Sequence, residues 1–384
     1  VNAREWLAAF ALPGLGPQRM ARIVAQAPAW PDGWLALLPP QAAAALRLWL
    51  RHPAKSPLTP AIEASLAWEQ AALDRVILHR DHPDFPAMLS EIPDPPAILW
   101  AQGDTSTLKH PGLAVVGSRH PTAEGAANAR AFAQDLAQRG FCITSGMALG
   151  VDAEAQRAAL DAGGASIAVL ATGIDVIYPA RHRELYQRLG RSPGGLLLAE
   201  HPPGTRAHPA FFPRRNRIVT GLALGTLVVE AAEKSGSLVS ARLTLEQGRE
   251  LFALPASIHN AQARGCLQLL RTGATLVRES DDIVAELSQW AGHYPSCQPP
   301  VHSDEAQPRS ASPVAHEPTE PLDARVDEPV DALLDVLSAT PTPIDALVQQ
   351  AGLTVAECQQ RLLMLELDGL VAQQPGGWVR QLRP

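Results

Sequence analysis

Two stretches decide the fold: Leu113-Ala114-Val115-Val116-Gly117-Ser118-Arg119 and Phe141-Cys142-Ile143-Thr144-Ser145-Gly146. Each is a short apolar run that breaks into small residues, and the helical pattern Ala126–Gln138 lies between them. An apolar run without polar alternation marks a strand buried on both faces, the signature of a parallel sheet covered by helices. Outward from this pair, further runs occur at Ser166–Ala171, Leu196–Ala199, Thr226–Val229, Leu251–Leu254 and Thr275–Val277. Helical stretches at Ala153–Leu160, Arg181–Leu189 and Leu238–Gln247 separate several of them. The alternation predicts an α/β domain, a doubly wound Rossmann-like parallel sheet, over residues 76–290.

The flanks differ in pattern. Residues 1–75 are rich in Ala, Leu and Trp and helical in periodicity. Within them Leu12-Pro13-Gly14-Leu15-Gly16-Pro17 separates two helical stretches, which predicts an N-terminal helical domain of SAM or helix-hairpin-helix type. Such a hairpin either offers amides to a DNA phosphate or serves packing alone; the nearby Arg4, Arg19 and Arg22 leave both readings open. Residues 291–326 are rich in Pro, Ser, Ala and Glu without apolar period, and are expected to be a disordered linker. Residues 327–384 return to order: helical patterns at Val330–Leu337, Ile344–Gln350 and Thr354–Asp368 precede a short hairpin at Leu370–Ala372 and Gly377–Val379, the outline of a winged helix. From Glu328 onward seven acidic residues face three basic ones, too few cations for strong binding to a duplex groove.

The net charge of −7 excludes a protein coated in positive potential, so any nucleic acid must bind at a local cluster of cations. Lysine occurs at Lys55, Lys109 and Lys234 alone, which makes each position informative. Cys142, Cys266, Cys297 and Cys358 stand singly, with the spacing of neither a zinc site nor a disulfide framework. No apolar run is long enough to span a bilayer, and a cytosolic location is expected. No cofactor and no metal is expected.

In a doubly wound sheet the ligand sits beyond the carboxyl ends of the strands, so the residues after each strand name the candidate site. They are Gly117-Ser118-Arg119, then Ser145-Gly146 through Gly150-Val151-Asp152, then Thr172-Gly173-Ile174-Asp175, then Glu230 through Lys234-Ser235-Gly236-Ser237, and Pro255-Ala256-Ser257 leading to Arg264. Glycine and serine at helix starts, with Arg119, Lys234 and Arg264, describe a phosphate site. The densest basic run, Phe211-Phe212-Pro213-Arg214-Arg215-Asn216-Arg217, adds three arginines for phosphate and Phe212 as a stacking surface for unpaired bases. Against this stands a solvated basic helix face with Phe212 packed in the core. Gly-x-Gly-x-x-Gly is absent after the first strand, which disfavours a dinucleotide.

Asp152, Asp175, Glu200 and Glu230 fall near strand ends, where an acid/base pair would sit. No nucleophile elbow, Walker A loop or metal spacing accompanies them, so capping and ion pairing are expected instead. The alternative is a nucleotide-processing enzyme like the phosphoribohydrolases. Their Pro-Gly-Gly-x-Gly-Thr-x-x-Glu signature is missing, and Gly225-Thr226-Leu227-Val228-Val229-Glu230 lacks its leading half. A winged-helix regulator with a ligand-sensing Rossmann domain is disfavoured by the acidic recognition helix.

Read in order, these loops resemble the DNA-processing protein A (DprA/Smf) family. The matching segments are Val115–Arg119, Thr144–Asp152, Ala168–Asp175, Tyr178-Pro179, Phe212–Ile218, Glu230-Ala231 with Lys234–Leu238, Glu246–Arg249, and Ser257-Ile258 through Arg264-Gly265-Cys266. Gln156 departs from the His of many relatives, and Ala256 from the usual Gly. The resemblance implies a non-catalytic mediator that coats incoming single-stranded DNA in natural transformation. It also implies a homodimer that helps load RecA in concert with single-strand-binding protein. It places Ser118, Arg119, Ser145, Gly146, Arg215, Asn216, Arg217, Lys234, Ser235 and Gly236 around the DNA phosphates, with Phe212 stacking on a base. Gly117 and Arg214, from the same loops, complete the candidate set.

Overall fold

The computed structural model describes residues 1–288, 337, 341–351, 353–367, 370–374 and 377–380. The expected linker at 291–326 and the helix expected at Val330–Leu337, except for Leu337, lie outside the described residues. The chain divides into two compact units, Val1–Val301 and His302–Pro384.

The first unit is built on a sheet that has nine strands among the described residues: β1 Arg75–His79, β2 Ile98–Gly103, β3 Gly112–Val116, β4 Cys142–Ser145, β5 Ala165–Gly173, β6 Gly195–His201, β7 Gly225–Val228, β8 Glu250–Ala253 and β9 Thr275–Leu276. Their order is β1-β2-β6-β5-β4-β3-β7-β8-β9. From β6 to β9 every neighbouring pair is parallel, as the unbroken apolar runs predict. Every residue of β3, β4 and β5 is buried. Successive strands step from β3 to β6 in one direction and from β7 to β9 in the other, so the order reverses between β3 and β7. That reversal opens the crevice in which such folds bind ligands.

The strands β1 and β2 were not legible in the sequence. They extend the sheet antiparallel beyond β6 and carry Ile77, Ile98 and Trp100 into the core.

Alternate residues of each strand serve opposite faces, the geometric consequence of the pleat. Ala114 and Val116 join one core cluster with Ile218, Val219, Ala241 and Cys266. Leu113 and Val115 join another with Ala129, Ala133, Ala155 and Leu136. The N-terminal helices, among them Ala3–Phe10, Pro40–Arg51 and Thr59–Gln70, share a single core cluster with sheet residues. Trp6, Leu46 and Ile62 belong to it together with Trp100, Leu170 and Leu197. The boundary expected at residue 75 therefore does not separate two cores. The Gly14–Gly16 hairpin is closed by Arg19, whose Nη1 donates to the Gly14 carbonyl at 3.1 Å.

The second unit has helices Ile344–Ala351 and Val355–Leu367 followed by an antiparallel hairpin, Val371–Gln374 with Gly377–Arg380. Leu337, Leu347, Cys358, Leu362, Leu365 and Val371 form its core.

Candidate functional site

A cavity of about 480 Å³ opens where the strand order reverses, beyond the carboxyl ends of β3 and β7. Of the candidate residues, Gly117, Ser118, Arg119, Gly146, Phe212, Arg215, Asn216, Lys234, Ser235 and Gly236 line it. Asp152 and Ser237, from the same loops, line it as well, and so do Ser240 and Gln262, which were not expected. Arg119 and Lys234 are exposed, so both ammonium and guanidinium groups are free to meet a ligand.

Each wall has a local cause. Gly117 ends β3 where a side chain would collide with Val151 and the Glu230 carbonyl. Ser118 N–H donates to that carbonyl at 2.7 Å, which turns Arg119 outward over the cavity. The Glu230 carboxylate accepts from Thr122 Oγ1 at 2.6 Å and from Thr122 N–H at 3.1 Å, clamping the N-cap of helix Ala123–Gln138. On the opposite wall Ser235 and Ser237 share a 2.6 Å hydroxyl bond at the start of helix Ser237–Glu246, and Lys234 projects from the same turn.

The loop after β4 admits two readings, capping by Asp152 or amides that hold a phosphate, and its amides turn inward to Asp152. Gly146 and Ala148 N–H donate to Asp152 Oδ2 at 3.1 and 3.3 Å, and Met147 N–H donates to Gln156 Oε1 at 3.1 Å. The Met147 carbonyl accepts from His182 Nδ1 at 3.0 Å. These bonds hold Met147 in the left-handed region, at φ 54°, a conformation that costs a non-glycine residue about 1–2 kcal/mol. Ser145 is corrected: its hydroxyl is buried and donates to the Val115 carbonyl at 2.6 Å, away from the cavity.

The basic run is divided by helix geometry. In helix Phe211–Gly221 successive residues turn by about 100°. Phe212, Arg215, Asn216 and Val219 therefore form one stripe, and all four line the cavity. Arg214 and Arg217 lie on the far side. Arg217 Nη2 donates to Glu200 Oε1 at 2.5 Å and its Nε to Asp94 Oδ2 at 3.2 Å, with both Arg217 and Glu200 buried. Arg214 reaches the same Glu200 oxygen at 3.4 Å. The expectation that Arg214 and Arg217 face a phosphate is thus corrected: Arg217 is consumed in a buried ion pair, and neither lines the cavity.

Arg215 is buried but does face it. Its Nη1 donates to the carbonyls of Gly146, at 2.6 Å, and Val169, and its Nε to Asn216 Oδ1 at 3.2 Å. Burial pushes the guanidinium down to about 10, opposed by Asp152 and reinforced by Arg119. Burial likewise pushes the Asp152 carboxyl up, while Arg215 and the amides of Ala148 and Gly146 pull it back. Gly146 lies directly on the Arg215 guanidinium, and a Cβ there would overlap it. Gly146→Ala is therefore expected to displace Arg215 and cost about 1–3 kcal/mol of stability, measured by urea unfolding. An unchanged unfolding midpoint would show that Arg215 is not seated under Gly146.

Beside the main cavity a smaller recess is lined by Arg119, Ala148, Leu170, Thr172, Tyr178 and Phe212. Phe212 is half-buried, with the Arg119 guanidinium 5.8 Å from its centroid and the Tyr178 ring at 5.4 Å, tilted by 59°. No group of His, Cys, Asp or Glu among the described residues is arranged to hold a metal. No helix among them is long and apolar enough to cross a membrane.

Fold and site together define an α/β protein with a cleft at a topological switch point, lined by Arg119, Arg215 and Lys234. Residues 76–288 match the DNA recombination-mediator protein A family and residues 316–377 the DprA winged helix domain; the chain belongs to this family of DNA-processing recombination mediators. It is similar to Protein Smf of Escherichia coli, 40% identical over 335 residues that cover 87% of this chain and 83% of that one. It is also similar to DNA processing protein DprA of Streptococcus pneumoniae, 42% identical over 202 residues, 53% of this chain and 71% of that one. The X-ray structure of the Streptococcus pneumoniae protein covers 74% of this chain and 98% of its own, with a TM-score of 0.62 at 33% identity. A Helicobacter pylori DNA processing protein A, described for its single-stranded DNA binding mode, gives a TM-score of 0.51 at 31% identity, covering 56% of this chain and 96% of its own.

Proposed function

We propose that the cavity between β3 and β7 binds the backbone of single-stranded DNA and that the protein acts as a recombination mediator without catalysis. The carrying observation is that Arg119 and Lys234 stand exposed over one cavity, with Arg215 in its wall. The Ser118, Ser235 and Gly236 segments supply hydroxyls and a close approach around the same space. Single-strand binding by the Helicobacter pylori relative supports the choice of ligand.

The non-catalytic half rests on the carboxylates. Asp152 holds the amides of Gly146 and Ala148, Asp175 accepts from Gly204 N–H at 2.7 Å, Glu200 pairs with Arg217, and Glu230 caps a helix. Each is engaged in a structural contact rather than poised as an acid or base. Release of free base from nucleoside monophosphates would overturn this half.

In the cell we place the protein in the cytoplasm as a homodimer that covers incoming strands and passes them to RecA in the presence of single-strand-binding protein. A gel-shift series tests the ligand: single-stranded oligonucleotides are expected to bind tighter than duplexes of equal length, and equal affinity would contradict the proposal. RecA strand exchange on DNA coated with single-strand-binding protein tests the role. The protein is expected to shorten the lag, and an unchanged lag would remove RecA loading.

A further inference from the structure

We infer that Tyr178 is a base-stacking residue of this site, and that Phe212 is the backing that holds it rather than the platform itself. The inference rests on the reading of the cavity as a single-strand site. It starts from the place of one exposed ring. Tyr178 is 48% exposed, and it is the one exposed aromatic residue among the described residues. Trp, Phe and Tyr elsewhere in the described chain are buried or half-buried. Tyrosine joins an apolar ring to a polar tip, and a ring left open on the wall of a recess beside a cationic cavity is placed to be covered by a partner with a flat face.

The position fits an unpaired base. Tyr178 lines the recess that adjoins the main cavity, and the two spaces share Arg119, Gly146, Ala148 and Phe212 as common wall. A strand whose phosphate sits by Arg119 can therefore lay its base into the recess over Leu170 and Thr172. Phe212 is already packed, with Arg119 5.8 Å from its centroid and Tyr178 at 5.4 Å. Its ring supports both neighbours while Tyr178 keeps open area. Stacking on such a ring tolerates every base, because each has a π-face, and it rejects a duplex, whose bases are already stacked.

The test separates ring from charge. Wild type, Tyr178→Ala and Tyr178→Phe are titrated with a labelled oligothymidylate and with an abasic oligonucleotide of the same length, after equal thermal midpoints establish that the variants fold. Tyr178→Ala is expected to weaken oligothymidylate binding by about tenfold. It should leave abasic binding and the salt dependence unchanged, and Tyr178→Phe should retain wild-type affinity. An equal loss on both oligonucleotides, or a loss in Tyr178→Phe as large as in Tyr178→Ala, overturns the stacking assignment while leaving the cavity reading intact. Failure of the wild type to bind either oligonucleotide overturns both.

Discussion

Replacing Arg119 and Lys234 together by alanine is expected to weaken single-stranded DNA binding by about 2–6 kcal/mol, at least roughly thirtyfold in affinity. Each is an exposed cation on the rim of the cavity, and a charge-assisted bond to phosphate is worth more than a neutral one. The two reach one cavity from different loops, so their losses need not add, and the single substitutions define the coupling. Because both side chains are exposed and neither is in a buried pair, the doubly substituted protein should unfold at the wild-type denaturant concentration. Fluorescence anisotropy with an oligonucleotide, beside a urea titration, checks both halves. Lost stability with retained affinity would reverse the assignment.

Arg217→Ala is expected to behave in the opposite way. Arg217 and Glu200 are 7% and 9% exposed at the side chain, and their 2.5 Å contact pairs two buried charges. Removing one partner leaves Glu200 desolvated beside Arg214 alone, which costs about 3–5 kcal/mol. The unfolding transition should move strongly, whereas the salt dependence of DNA binding by the folded protein should stay that of wild type. Arg217→Ala with wild-type stability and a reduced salt dependence would show that Arg217 meets phosphate after all. The loss of stability would also make this variant easy to mistake for a binding defect in a screen that reads activity alone.

The contrast between these two arginines shows how far the sequence could be read. The parallel strands were legible because burial on both faces leaves unbroken apolar runs, as at Leu113–Val116 and Ser166–Ala171. The loops after them were legible because glycine and serine cluster where strands end. The antiparallel extension by Arg75–His79 and Ile98–Gly103 was not, since the segment between them is rich in proline and aspartate and carries no long helical pattern, so the strand–helix alternation that marks the others is missing.

Within the site, the linear run Arg214-Arg215-Asn216-Arg217 looked like one charge cluster. Helical rotation sends Arg215 and Asn216 to the cavity and Arg217 to Glu200, a partner distant in sequence. Asp152, six and four residues on, takes the amides of Gly146 and Ala148, so the capping role open to it in the sequence is the one the loop forms. Tyr178 carried no signal by itself, because one tyrosine beside a proline reads equally as core or surface until its exposure is known.

The most direct test of the central claim, that this cleft grips a DNA backbone through Arg119 and Lys234, is the dependence of single-strand affinity on salt. The logarithm of the binding constant should fall linearly with the logarithm of salt concentration, and each of Arg119→Ala and Lys234→Ala should make that slope shallower by about 0.7. Unchanged slopes in both variants, with affinity equal to wild type, would place the DNA elsewhere on the molecule.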